Sequence, residues 1–516
     1  MSPMKVTGSP RFAPRVAALG ASASLVLVSG CSLLYNVDNL PAPPDDGELA
    51  GPPDVLDPDA LMLATAGPPD LYEGQGADGS PQVFLVLAGS NISAQAQITL
   101  VPTDAADPLP MITLDVAHLA HAADNSVIAL PVTLPVDPAA AGTDVKVTVH
   151  IKQTGKMGED IAADLPGQVT IHTLPEIDDA HLPVLPLAAR YAQIKLTNPL
   201  AFNAKLNAGP VILHSMSTIA LSDVTSKTSG ATPGQGGSAG GDVTKAGSGP
   251  GGGSPGNLID LQHLNLLSAG TGGGFGAAAA PFNSSPGGKV TGDALITAYE
   301  TNVSSGGGGG GISAGGGGGG TIELHAEGAL TVGDVKAEGA QGGASNNILA
   351  GAGGGGSGGA LVLRAGGLAT LGALSVAGGP GGVGSGNNGT AGGVGRIRID
   401  VPALAGTAPV FTATTRRGVA FAADTPLITR DKDLSLTLIS DIGTDQYNVI
   451  VLKDVNTSKP KIPVVFTTPT QVISPALFAG YNRICVVPPS GSLTIVESTN
   501  CIELAYVPPD VANRQR

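Results

Sequence analysis

From about Pro81 onward, short runs of apolar residues recur at the two-residue period of a half-buried strand, and helical periodicity is weak. Gln82-Val83-Phe84-Leu85-Val86-Leu87, Gln97-Ile98-Thr99-Leu100-Val101, Val127-Ile128-Ala129-Leu130 and Val145-Lys146-Val147-Thr148-Val149-His150-Ile151 are separated by turn residues. Their spacing predicts a small antiparallel β-sandwich over 73–182. The style returns in Leu434-Ser435-Leu436-Thr437-Leu438-Ile439, Tyr447-Asn448-Val449-Ile450-Val451-Leu452 and Val464-Val465-Phe466-Thr467, predicting a second sandwich over 403–510, with a tail at 511–516.

Between them, residues 183–402 carry a repeat. Thr321 to Val335 aligns with Ala360 to Leu374 at a constant offset, so that Ile322/Leu361, Leu324/Leu363, Val332/Leu371 and Val335/Leu374 coincide. An earlier copy starts at Leu213 and a truncated one at Gly395. One such unit cannot bury its apolar face alone, but stacked neighbours cover each other, which predicts a parallel β-helix with Gly-rich tracts thrown out from its corners. A disordered Gly-rich spacer is the rival reading. The tracts Gly306–Gly311 and Gly315–Gly320 have no side chains to bury and are expected either mobile or packed in extended polyglycine-like form. The two sandwiches stand ready to cap the two ends of the helix. The expected fold class is therefore all-β.

Composition changes the picture at the N-terminus. Lys5, Arg11 and Arg15 precede an apolar run from Ala17 to Val28 and a small-residue exit at Ser29-Gly30, the parts of a secretory signal over 1–30. The run is shorter than the roughly 20 residues a membrane-spanning helix needs. Residues 31–72 hold an acidic, Pro-rich stretch (Leu40 to Gly47, Gly51 to Asp54) without periodicity, read as a tether rather than a calcium site. The chain has 13% charged and 3% aromatic residues with no Trp, unlike an ordinary cytoplasmic enzyme. Its net charge of −15 argues against nucleic acid as a partner, and losing the signal deepens it to −18. Of three cysteines, Cys485 and Cys501 lie in strand-like runs, and an even pair in an exported chain reads as a disulfide, with two free thiols as the alternative.

The exit Val28-Ser29-Gly30-Cys31 resembles the lipobox of bacterial lipoproteins. That resemblance implies that Cys31 becomes the acylated N-terminus, anchoring the chain by three acyl chains. Ser32, rather than Asp, after the cysteine then favours the outer membrane. Lipobox plus strand–Gly-tract repeats such as Gly358 to Gly367 also resemble the Gly-rich outer-membrane lipoproteins of myxobacterial type. The run Leu87 to Ser93 resembles a turn of immunoglobulin-like cell-surface modules. Together these resemblances imply a lipid-anchored envelope protein with a structural, adhesive or surface-interaction role, with surface polysaccharide or envelope proteins as partners.

Candidate chemistry is sparse. Gly355-Gly356-Ser357-Gly358-Gly359 has nucleophile-elbow spacing, but a Gly tract precedes it and a strand follows, where that motif needs strand then helix. Gly287-Gly288-Lys289 is followed by Val290, where a phosphate loop needs Ser or Thr. The tracts from Gly306 to Gly320 hold no acidic residue, excluding a calcium roll there. A carbohydrate-active β-helix enzyme of lyase or hydrolase type, or a glycan-binding module disfavoured by the few aromatics, is the alternative function, and Glu323, His325, Asp334, Lys336 and Arg364 are the enzyme's candidate residues. The alignment sets His325 over Arg364, with His214 in the earlier copy, but replaces Glu323 by Val362 and Asp334 by Ala373. No acidic ladder is therefore expected, and these positions read as solvated. The eight His residues show no zinc spacing, so no metal, cofactor or catalytic set is expected.

Overall fold

The computed structural model describes residues 60–76, 83–137, 142–155, 157–184, 187, 189–243, 245–256, 269–283, 285–291, 312–406, 409–422, 424–440, 446–454, 457–487 and 500–509. The signal, Cys31, most of the tether, Gly306–Gly311 and the tail 511–516 lie outside them. The described structure is all-β, with one 3-10 turn at Val116–His118, and no helix in it is long and apolar enough to cross a membrane.

The first strand group comprises β1 (Met62–Gly67), β2 (Asp70–Tyr72), β3 (Val83–Ser90), β4 (Gln97–Pro102), β5 (Thr113–Leu114), β6 (Ala120–His121), β7 (Val127–Thr133), β8 (Asp144–Thr154) and β9 (Asp160–His172). They form one sheet in the order β1-β3-β7-β5, with β6 also on β7, and a second in the order β2-β9-β8-β4. Strict alternation in β8 buries Val145, Val147, Val149 and Ile151 against Leu85, Leu87, Ile128 and Leu130 of the other sheet. Strands β1 and β2 fall within 31–72, where a tether was expected. Met62 to Gly67 lacks alternation because β1 is a partly exposed edge strand, held by backbone pairing to β3.

The middle of the chain comprises β10 (Ile194–Leu196), β11 (Leu200–Phe202), β12 (Val211–Ser215), β13 (Ile219–Leu221), β14 (Val224–Ser226), β15 (Thr321–Ala326), β16 (Leu330–Val332), β17 (Val335–Lys336), β18 (Ala360–Ala365), β19 (Leu368–Leu371), β20 (Leu374–Ser375), β21 (Arg396–Asp400), β22 (Ala403–Ala405) and β23 (Thr415–Arg417). Consecutive strands join different sheets. The three sheets run β10-β13-β16-β19-β22, β11-β14-β17-β20 and β12-β15-β18-β21-β23. All their pairings are parallel, and the register sets Ile322 on Leu361, Val332 on Leu371 and Val335 on Leu374, the pairs aligned from sequence. Leu213, Leu324, Leu363 and Ile399 stack strand upon strand into one apolar core that Leu221, Leu330 and Val335 complete from the other two sheets.

The described Gly tracts between these strands are largely buried. Gly315–Gly320 and residues 351–359 are enclosed. Gly316 and Gly319 donate to the carbonyls of Gly354 and Ser357 at 2.8 and 2.9 Å. Gly315, Gly318 and Thr321 donate to Gly241, Ser238 and Gln235 at 2.7 to 2.9 Å, and Gly317 turns to Gly230. Every third N–H thus returns to the same neighbour. Three residues per turn is the period of the polyproline II helix, which has no internal hydrogen bonds and so offers each N–H to another strand. Glycine is required by close approach: a Cβ on Gly356 would strike the Gly317 carbonyl, and one on Gly353 the Ala314 carbonyl.

The last group comprises β24 (Ala420–Phe421), β25 (Ile428–Thr429), β26 (Leu436–Ile439), β27 (Gln446–Leu452), β28 (Ile462–Val465), β29 (Thr470–Ile473), β30 (Gly480–Val487) and β31 (Asn500–Tyr506). Its sheets run β24-β26-β29 and β25-β31-β30-β27-β28 around Leu438, Val449, Phe466 and Leu504. Cys485 and Cys501 face each other across β30 and β31 and are joined by a disulfide. The two outer groups pack on each other. Phe84, Val86 and Ala129, on the second face of β3 and β7, pack with Ala505, Val507 and Tyr481. Val83 to Leu87 is apolar at successive positions because both faces of β3 are covered.

Candidate functional site

Alternation along β15, β18 and β21 sends Ile322, Leu324, Leu363, Ile397 and Ile399 into the core. Glu323, His325, Arg364, Arg398 and Asp400 therefore share the opposite face of the sheet. The expectation that these positions are solvated is wrong for most of that face. Glu323 and Arg364 are each 2% exposed, and Arg398 and Asp400 are buried with them. Phe275, from the stretch between β14 and β15, covers the sheet here: it packs on Ala360 and Val362, with the Arg396 guanidinium 5.4 Å from its ring centre. Enclosed charges must be paired. Arg364 Nε lies 3.3 Å from Glu323 Oε1 and 3.8 Å from Asp400 Oδ2, and Arg398 Nη2 lies 2.7 Å from Asp400 Oδ2. Burial works against the Arg398 charge, but Asp400 outweighs it and raises the pKa.

At the other end of the same face the register stacks His214 on His325 and His325 on Arg364. The two imidazoles are parallel, with centres 4.0 Å apart and planes 5° apart. Glu327 follows β15, and its N–H donates to the Ser215 carbonyl. Its Oε1 lies 2.9 Å from His214 Nε2 and 3.4 Å from His325 Nε2. Burial, reinforced by His214, depresses the His325 pKa to about 3. Burial of Glu327 acts upward, but His325 and the His214 hydrogen bond outweigh it and hold the carboxyl at about 2. At neutral pH His325 is thus a neutral imidazole beside the Glu327 carboxylate.

Arg190 lies close enough to act electrostatically on both His325 and Glu327. Its Nη1 donates to Tyr72 Oη at 2.8 Å, and its guanidinium stacks 4.6 Å from the Tyr72 ring centre. Tyr72 stacks in turn on His172, which lies between Asp70 (3.0 Å) and Asp144 (2.7 Å).

Asp334 and Lys336 belong elsewhere: they pair with each other at 3.2 Å on the surface, as solvated groups do. Of the five candidates, the fold therefore gathers Glu323, His325 and Arg364 and separates the other two. Sequence reasoning missed Glu327, Arg398 and Asp400. Glu327 aligns with Gly366 in the next copy, so the repeat carried no sign of it. The His214–Glu327 contact spans 113 residues because residues 227–320 are inserted between β14 and β15.

Comparison with protein-family models, with curated proteins and with solved structures finds no match to this chain.

Proposed function

We propose that this chain is a non-catalytic lipoprotein of the bacterial outer membrane, anchored through Cys31, with a structural, adhesive or surface-interaction role. In this reading the three parallel sheets form a β-helix and the two outer strand groups are immunoglobulin-like sandwiches. The addition of one strand to each sheet, in parallel register, by successive repeats supports the helix. The observation that carries the non-catalytic reading is the fate of the acids on the covered face. Glu323 holds Arg364, Asp400 holds Arg398, and Glu327 holds His214. Glycoside hydrolysis needs two carboxyl groups flanking one bond, and these acids are committed to bases instead. Partners are then reached from the outer surface: surface polysaccharide or envelope proteins, not nucleic acid.

The experiment compares wild type with Cys31→Ala in the native host. Wild type is expected to incorporate labelled fatty acid and pellet with membranes, while the variant stays unlabelled and soluble. Equal labelling and fractionation of the two would remove the anchor. A deletion strain with unchanged adhesion and envelope integrity would remove the role.

A further inference from the structure

We propose that His214, His325 and Glu327 form a binding site for one divalent transition-metal ion of the zinc class, clamping β12 to β15 across the inserted segment 227–320. The donor atoms of the three side chains lie within 4.8 Å of one another. Two imidazoles and one carboxylate are a donor set for zinc, copper or nickel rather than for calcium or magnesium, which want oxygen alone. All three come from ordered backbone: His214 and His325 from paired positions of neighbouring strands, Glu327 from a position tied to Ser215.

Both Nε2 atoms point at the same carboxylate oxygen. A metal ion seated there takes the Nε2 lone pair of each imidazole, with the ring proton of each carried on Nδ1. Zinc–nitrogen bonds of about 2.0–2.1 Å bring tetrahedral donors to about 3.3 Å apart. Parallel rings 4.0 Å apart must then splay so that both lone pairs meet at one point, a side-chain rotation that leaves the strands in place. Two cations lie nearby: Arg190, which donates to Tyr72, and Arg364, which pairs with Glu323. Their charge sets a preference for ions that bond strongly to nitrogen over those held by charge alone.

The value of the clamp lies in where it sits. It joins residues 113 positions apart, on either side of the largest insertion in the repeat region. Tying a long loop removes more disorder from the unfolded chain than tying a short one. Three protein donors also leave a fourth position for water or a ligand atom.

The test uses the purified full-length chain, stripped with chelator and dialysed, titrated separately with Zn²⁺ and Mg²⁺ by calorimetry. Wild type is expected to take up one equivalent of Zn²⁺ and no Mg²⁺, to unfold at higher temperature with Zn²⁺, and to give visible absorption bands with Co²⁺. His181→Gln, at an exposed position, keeps that behaviour. Glu327→Gln is expected to weaken Zn²⁺ at least tenfold, and the double variant His214→Asn, His325→Asn to lose it. Failure of the wild type to take up stoichiometric Zn²⁺ overturns the site whatever the variants do. So does equal uptake by wild type and a folded double variant.

Discussion

His172 is gripped from both sides. Asp70 and Asp144 bond its two ring nitrogens, Tyr72 covers one face, and the charges of Arg190 and Arg483 act on Asp70. The hydrogen bond to Asp70, strengthened by Asp144, raises the His172 pKa above 6.5. The same bond lowers that of Asp70 below 3.8. A raised histidine stabilises the fold fully below its unfolded pKa and loses that contribution as pH rises through the folded value. A lowered aspartate contributes above its unfolded pKa and loses it as pH falls through the folded one. The pair is therefore strongest between those two unfolded values. We expect wild type to lose more stability than His172→Gln on going from about pH 5 to about pH 8. Denaturant midpoints at the two pH values check it, and parallel losses would count against the grip. None of this was legible beforehand, because Asp70, Asp144 and His172 are scattered along the chain and meet only where β2 pairs with β9 and β8 with β9. Period two did reveal which residues of β15 and β18 face away from the core. It was silent on what covers that face, so Glu323 and Arg364 read as wet.

At the scale of elements, the repeat was legible because Ile322, Leu324, Val332 and Val335 have side chains that mark their place against Leu361, Leu363, Leu371 and Leu374. The Gly tracts were not. Glycine has no side chain to record a neighbour, and a three-residue period of backbone hydrogen bonds leaves no trace in composition. The close approach leaves no room, however, and that is testable by contrast. Gly356→Ala puts a methyl group onto the Gly317 carbonyl and is expected to cost about 1–3 kcal/mol, as overpacking does. Gly209→Ala meets nothing within 4 Å and is expected to stay within about 0.5 kcal/mol of wild type or to gain slightly. Hydrogen exchange of the amides at Gly316 and Gly319 reports the difference locally. Similar exchange in both variants would mean that the tracts are not held by one another.

For the whole molecule, two strand groups far apart in sequence share a layer of apolar side chains. Arg430 Nη2 also reaches the His121 carbonyl across the same junction. The strands of each group were foreseeable from their own alternation. Their contact was not, although the unbroken apolar run Val83 to Leu87 was its sign. A chain ending at residue 402 leaves Phe84, Val86 and Ala129 without their cover. We expect that fragment to bind a hydrophobic dye strongly and to lose protease resistance in 60–172. A fragment as resistant as the full chain would show that the first group stands alone.

The same layer has a consequence for how the protein is made. Synthesis runs from the N-terminus, so the face that carries Ala129 leaves the ribosome about 380 residues before Ala505. At about 5–20 residues per second that is roughly 20–75 s during which a finished sheet presents a sticky surface to its surroundings. The nascent chain must keep Phe84 and Val86 out of other company for that interval. The residues translated last thus decide whether those translated first stay in solution.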